Sequence, residues 1–320
     1  MNVLVTGATG FIGRYLASAL YKSYTVRCLV RKTSDISTLR NLNVEIAYGD
    51  LLVKNSLGPA LDKIDLIYHL AGEVYSRRRN DYYKGNVLAT KNLLEVSKEK
   101  DVKRIIFLSS LAVYKPVKSK TLLTEESECA PIALYGKTKL YAERLIKESG
   151  IPSVVVRAPV VYGPHQPPVM NRIFTGAVKK KKVTVIGNGE NFRSLCFVTN
   201  LIEGLILLID RPNVQGKTYI LSDDRPYTLN ELIWTMSKVI NQKVKIVYLP
   251  NILGDILWQL YNLISKLFNL YFVELYGIKT MQLHLGCDIT KAKQEIAYNP
   301  SVSIEAGVQN TIRWIETCCI

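Results

Sequence analysis

The sequence predicts an α/β protein: a doubly wound parallel sheet followed by a smaller mixed C-terminal lobe. Three observations carry that prediction. The chain opens on an apolar run, Val3-Leu4-Val5, that breaks into Gly7, Gly10 and Gly13 and then into the helical period of Arg14 to Leu20. Short apolar segments recur from there to Val156, alternating with longer segments of helical period. Beyond residue 165 the regular alternation stops. Strand, helix, strand repetition demands right-handed crossovers and helices on both faces of a parallel sheet. The expected division is 1–165 for a cofactor-binding unit and 166–320 for a substrate lobe, with helical segments of the second half returning to pack on the first.

The elements follow in order. The opening strand, glycine turn and helix form a phosphate cradle: glycine lets the backbone approach a pyrophosphate, and the free N–H groups and positive dipole end of the helix stabilise its charge. Thr25–Val30 reads as a second strand, ending in Arg31-Lys32, and Val44–Tyr48 as a third, leading into Gly49-Asp50-Leu51. Ile64–Leu70 is a fourth, running into Ala71-Gly72, and His69 within it reads as a packed core imidazole. Ligands of such sheets collect at the carboxyl ends of the strands, where Gly7, Asp50 and Ala71-Gly72 all fall. Asn80–Lys98 is helical by period, and Asn86 within it reads equally as a helix-bridging amide or a cofactor contact. Val102–Leu108 is a fifth strand, followed by Ser109-Ser110. Tyr135 opens a helix running through Leu145, which sets Lys139 one turn away on the same face. A free phenol titrates near 10, and a fixed cation beside it favours phenolate, bringing it toward the range of a useful base. Val154 to Val156 lies in a sixth strand.

Composition bounds the rest. Lys+Arg 42 against Asp+Glu 27 gives +15, which suits anionic ligands or surfaces. No nucleic-acid-binding pattern accompanies it, so no nucleic-acid partner is expected, and the runs Arg77-Arg78-Arg79 and Lys179 to Lys182 read as solvated faces. Six cysteines without paired spacing and only three histidines predict neither disulfides nor a metal site, and fit a reducing cytoplasm. The first strand begins at Asn2-Val3, so no signal peptide is expected, and acylation of Cys318 or Cys319 is disfavoured. From 251 to 271 apolar residues recur at helical spacing, broken by Asp255, Gln259, Asn262 and Lys266. That predicts a broad amphipathic helix, too interrupted to span a bilayer: a lid over the substrate pocket, a dimer face, or a peripheral membrane contact.

The turn Thr6-Gly7-Ala8-Thr9-Gly10-Phe11-Ile12-Gly13, with Ser110 and Tyr135-Gly136-Lys137-Thr138-Lys139, resembles the extended short-chain dehydrogenases/reductases, the NAD(P)-dependent epimerase/dehydratase family, over nearly the whole chain. The resemblance implies a Rossmann-type fold and a homodimer. It assigns Ser110, Tyr135 and Lys139 to catalysis: Tyr135 as general acid/base, Lys139 tuning it and holding nicotinamide ribose hydroxyls, Ser110 fixing the reacting oxygen. Cofactor contacts fall on Gly7, Gly10, Phe11, Ile12, Gly13, Arg31, Asp50, Leu51, Ala71, Gly72, Tyr135, Lys139 and Pro159. Val30 stands where NAD enzymes of this architecture place a carboxylate, and Arg31-Lys32 follow, so NADP is favoured over NAD. The Asp-Glu pair of the family's dehydratases is replaced by Leu111-Ala112, which leaves oxidoreduction or epimerisation. Gly187 to Leu201 is similar to the segment of sugar-nucleotide enzymes whose arginine, here Arg193, clamps the substrate diphosphate, although Ser194 and Asn200 replace the usual aspartates. The expected substrate is therefore a nucleotide sugar. Apolar C-terminal segments like 251–271 occur in steroid dehydrogenases and dihydroflavonol reductases, so NADP-linked reduction of a lipophilic ketone is the alternative. A non-enzymatic cofactor sensor is a third reading, opposed by the presence of Ser110, Tyr135 and Lys139 together.

Overall fold

The computed structural model describes residues 1–117, 119–167 and 171–317; Cys318 and Cys319, and any acylation of them, lie outside that range. The first half runs β1 (Asn2–Thr6), α1 (Phe11–Leu20), β2 (Thr25–Val30), β3 (Glu45–Tyr48), α2 (Gly58–Leu61), β4 (Leu66–His69) and α3 (Arg79–Tyr83). It continues through a π turn at Lys84–Leu88 into α4 (Ala89–Glu99), β5 (Arg104–Ser110), α5 (Leu134–Glu148) and β6 (Ser153–Ala158). The second half holds β7 (Val160–Tyr162), α6 (Asn171–Lys180), β8 (Lys182–Ile186), β9 (Leu195–Phe197), α7 (Val198–Leu207), β10 (Thr218–Ile220), α8 (Leu229–Val239) and β11 (Lys245–Leu249). It closes with α9 (Asn251–Leu267), α10 (Val273–Thr280), α11 (Thr290–Ile296) and α12 (Ile304–Thr317).

Seven strands form one sheet in the order β10-β6-β5-β4-β1-β2-β3, every neighbouring pair parallel. Its strands are apolar on both faces because both are covered. Val3, Val5, Ile106 and Leu108 point into one core layer, while Leu4, Ile105 and Phe107 point into the other. The strand order reverses at β1, between β2 and β4, which opens a crevice at their carboxyl ends. Gly7 and Ala71-Gly72 sit there. The sheet also takes β10, a three-residue strand of the second half, as its edge beside β6. The remaining strands make two parallel pairs, β8 with β11 and β7 with β9, around a core that includes Phe174, Phe197 and Met236.

His69 is placed as expected, and the end of one helix is not. His69 is fully buried between Thr6 Oγ1 and Thr90 Oγ1, each 2.9 Å from a ring nitrogen, so it is the core imidazole expected. The helix expected over 251–271, however, stops at Leu267. Asn269 adopts φ +53°, Arg79 N–H donates to the Asn269 carbonyl, Leu270 pairs with Arg78, and Tyr271 N–H donates to the Arg77 carbonyl. Those tertiary bonds take over the backbone groups that further helical turns would use, and the chain turns back as α10. Asn86 is the bridging amide: its Oδ1 accepts from Glu73 N–H, and its Nδ2 donates to the Glu73 carbonyl and Thr138 Oγ1.

Candidate active site

The cradle is built by close backbone approach. Gly7 has φ +71°, and a Cβ there would lie 2.8 Å from Ala71 N; a Cβ on Gly13 would lie 2.1 Å from the Gly7 carbonyl oxygen. Neither space admits a side chain. Gly10 caps α1 with no side-chain hydrogen bond, so the first-turn N–H groups, at Phe11, Ile12 and Gly13, have no cap from the protein's own side chains. That suits a dinucleotide pyrophosphate. Asp50 sits at the exit of β3, one carboxylate oxygen accepting from Leu52 N–H at 2.9 Å, beside the half-buried Leu51. Arg31 and Lys32, at the exit of β2, are exposed, and Pro159 is half-buried after β6. The residues present therefore fit a nicotinamide dinucleotide.

Ser110 ends β5 and Tyr135 lies in the first turn of α5. Burial pushes the phenol up to about 12, a rise that the Ser110 hydroxyl opposes. Lys139, 4% exposed, donates from Nζ to the Leu108 carbonyl at 2.6 Å and lies over the Phe107 ring at 4.2 Å. Burial pulls its ammonium down to about 7, with the Glu143 carboxylate holding it up. The lysine also reaches the crevice, since a Cβ on Gly72 would lie 3.7 Å from Nζ. Ser109 is engaged elsewhere, donating to the buried Glu143 Oε1 at 2.5 Å. Ser110 is thus the serine at the phenol.

Beneath this pair lies a buried ionic network whose members are far apart in the chain. Arg157 of β6 donates to Glu143 twice, at 3.0 and 2.7 Å, and to Tyr114 Oη at 2.8 Å. It ties β6 to α5.

Arg193 comes from the second half. Its guanidinium donates to the Thr280 carbonyl at 2.7 Å and to Thr280 Oγ1 at 3.2 Å, at the end of α10. Burial pulls it down from its ordinary value, and the Tyr276 hydroxyl opposes that. Tyr276 in turn feels both Arg193 and Tyr135, so α10 links the arginine to the phenol. Tyr82, Tyr261 and Tyr271, with Ala133, form a largely aromatic core cluster against which Tyr135, Trp258 and Tyr276 pack. Tyr271 and Tyr276 were not legible as site residues, because only the turn after α9 brings them to α5. Nearby, the segments that hold Arg193 also flank an open hollow of about 610 Å³ lined by Gly187, Asn188, Asn191, Tyr248 and Gln282. No group of three His, Cys, Asp or Glu side chains that would hold a metal occurs among the described residues.

Residues 3–222 match the model of the NAD dependent epimerase/dehydratase family. The chain belongs to that family. It is an enzyme of the extended short-chain dehydrogenase/reductase type, in which NAD is the family's cofactor. The uncharacterised protein y4nL of Sinorhizobium fredii is 31% identical over 98% of this chain and 94% of its own length. The mouse (Mus musculus) decarboxylating sterol-4-alpha-carboxylate 3-dehydrogenase is 27% identical over 97% of this chain and 89% of its own. Among solved structures, the UDP-glucuronic acid 4-epimerase of Bacillus cereus, crystallised with UDP-glucuronic acid and NAD, is 25% identical over 99% of this chain and 100% of its own, with TM-score 0.80. No helix among the described residues is long and apolar enough to cross a membrane.

Proposed function

We propose that this enzyme oxidises and re-reduces a carbinol of a nucleotide-diphosphate sugar, so that the net reaction is epimerisation. The observation that carries the reading is the placement of Ser110 and Tyr135 at the carboxyl edge of the sheet, where β5 ends and α5 begins, with Lys139 one turn away and its Nζ at the crevice. A bound nicotinamide supplies the hydride acceptor. Ser110 holds the sugar hydroxyl, Tyr135 takes its proton as the carbonyl forms and returns it afterwards, and the Lys139 ammonium stabilises the phenolate and holds ribose hydroxyls. The ammonium has to oppose the burial that pushes the phenol up to about 12. Gly7, Gly10 and Gly13 bring the α1 N-terminus to the pyrophosphate, and Asp50 takes the adenine amino group. Arg193, a planar fork only partly used by Thr280, takes the substrate diphosphate. The exposed Arg31-Lys32 pair supports NADP over the family's NAD.

A second reading, reduction of a lipophilic ketone, is favoured by the aromatic cluster of Tyr82, Tyr261 and Tyr271 around α5 and by the likeness to the sterol dehydrogenase. Calorimetric titration with UDP, GDP and dTDP, each set against a sterol, separates the two. The sugar reading expects one nucleoside diphosphate to bind and Arg193→Ala to weaken it. If none binds and Arg193→Ala changes nothing, that reading fails. Tyr135→Phe should cut turnover by roughly 10²–10⁴ while cofactor affinity is kept.

A further inference from the structure

Helix α9 is fixed to the body by one side only. Tyr261 and Ser265 on that side are 4% and 1% exposed, and Arg79 donates to Ser265 Oγ at 2.8 Å. The other side presents a continuous apolar stripe: Ile252, Ile256, Leu260, Leu263, Leu267 and Phe268 are 61%, 46%, 52%, 58%, 69% and 67% exposed. At 17 residues, the helix extends that stripe over about 25 Å. A stripe of that size on a protein rich in charge marks a surface that something else covers.

We propose that α9 lies flat on an anionic lipid bilayer, with its apolar stripe seated among the acyl chains. Charge selects this occupant. Asp255, the acid of this helix, is neutralised by Lys279 at 2.6 Å. At the helix C-terminal end, the backbone bonds of Leu270 and Tyr271 hold Arg78 and Arg77 alongside, and both arginines are exposed. Arg77 lies over the Phe272 ring at 4.7 Å and is paired with Glu274 at 3.0 Å, so Arg78 is the cation this edge offers to an anionic surface. With +15 overall, the chain is drawn to an acidic surface. An amphipathic helix of this kind rests at the headgroup boundary and does not cross.

The inner face of the same helix, through Trp258, Tyr261 and Asn262, walls a cavity of about 110 Å³ whose opposite wall is Ala133, Leu134 and Lys137 at the start of α5. Docking therefore sets this cavity, at the start of α5, directly behind the lipid-facing helix. The docking does not rest on the catalytic reading above.

The test is co-sedimentation of the intact chain with phosphatidylglycerol vesicles and with phosphatidylcholine vesicles, alongside analytical ultracentrifugation in vesicle-free buffer. The expected result is binding to the anionic vesicles that weakens in high salt. Leu260→Glu with Leu267→Glu should reduce partitioning by roughly tenfold or more, and Arg78→Ala should reduce it about fivefold. Leu260→Ser with Leu267→Ser repeats the test with smaller side chains, and NAD(P)H binding, read separately, reports that each variant is folded. Three results overturn the proposal: no binding to anionic vesicles, binding that the stripe variants leave unchanged, or a wild-type dimer in vesicle-free buffer that the stripe variants dissociate. The last assigns the face to a second copy. A failed titration with nucleoside diphosphates leaves vesicle binding intact, so the two proposals fail separately.

Discussion

Glu143→Gln tests how the buried network under α5 supports the candidate site. Glu143 and Arg157 side chains are 2% and 5% exposed and meet in a two-pronged ion pair, so the guanidinium has almost no water to fall back on. Removing one partner of a buried pair costs about 3–5 kcal/mol, because the remaining charge stays desolvated. Glutamine keeps one oxygen, which can still accept from Ser109 and Arg157 Nε, but it turns an amide NH2 toward the second guanidinium prong, so the cost stays in that range, about 3–5 kcal/mol. The same substitution removes the charge that holds the Lys139 ammonium up, so its titration should move below about 7. If Lys139 must be charged for turnover, the alkaline limb of kcat/KM moves to lower pH with it. Urea denaturation gives the first quantity and a pH-rate profile the second. A variant within about 1 kcal/mol of wild type, with an unmoved alkaline limb, would refute the reasoning.

Three further outcomes follow from the geometry. Gly13→Ala places a methyl 2.1 Å from the Gly7 carbonyl oxygen, so NAD(P)H fluorescence titration should show cofactor binding lost and thermal denaturation a lowered midpoint. Arg31→Ala should weaken NADPH several-fold and leave NADH nearly unchanged, since only a 2′-phosphate needs the exposed cation; equal effects on both would remove the preference for NADP. Burial depresses His69 to about 3 and raises Asp223 to about 6. Below pH 6.5 the unfolded chain takes a proton that native His69 refuses, so stability falls on acidification; native Asp223 takes one before the unfolded chain does, so its contribution is lost as pH rises through 6 and regained toward 3.8. Each slope is about 1.4 kcal/mol per pH unit, so they offset between about pH 6 and 4, and Asp223→Asn should lose thermal stability over that window more steeply than wild type.

Much of this was legible in the sequence because it is local. The glycine turn, the six parallel strands and the tyrosine-to-lysine spacing are each written within a few residues, and hydrophobic alternation carries them. What escaped is what depends on distant contacts. A strand of three residues such as Thr218–Ile220 has no period to detect, and its membership of the sheet is set by Val155 and Val156. The early stop of α9 is imposed by the backbone of Arg77 and Arg79, nearly two hundred residues earlier, and the aromatic run Tyr271-Phe272 with Tyr276 reaches Tyr135 only because of that stop. Asn269, a residue that tolerates φ above zero, was the local hint. Asn86 could be resolved only when Glu73 and Thr138 were seen around it.

The borrowed edge strand has a consequence for synthesis. Until Ile220 has left the ribosome tunnel, β6 carries an unpaired edge, and the Rossmann unit waits with one row of backbone donors and acceptors open to any passing strand. Truncation at residue 165 would leave that edge permanently bare. The first half is therefore no detachable module: its sheet is completed only by a strand from the second.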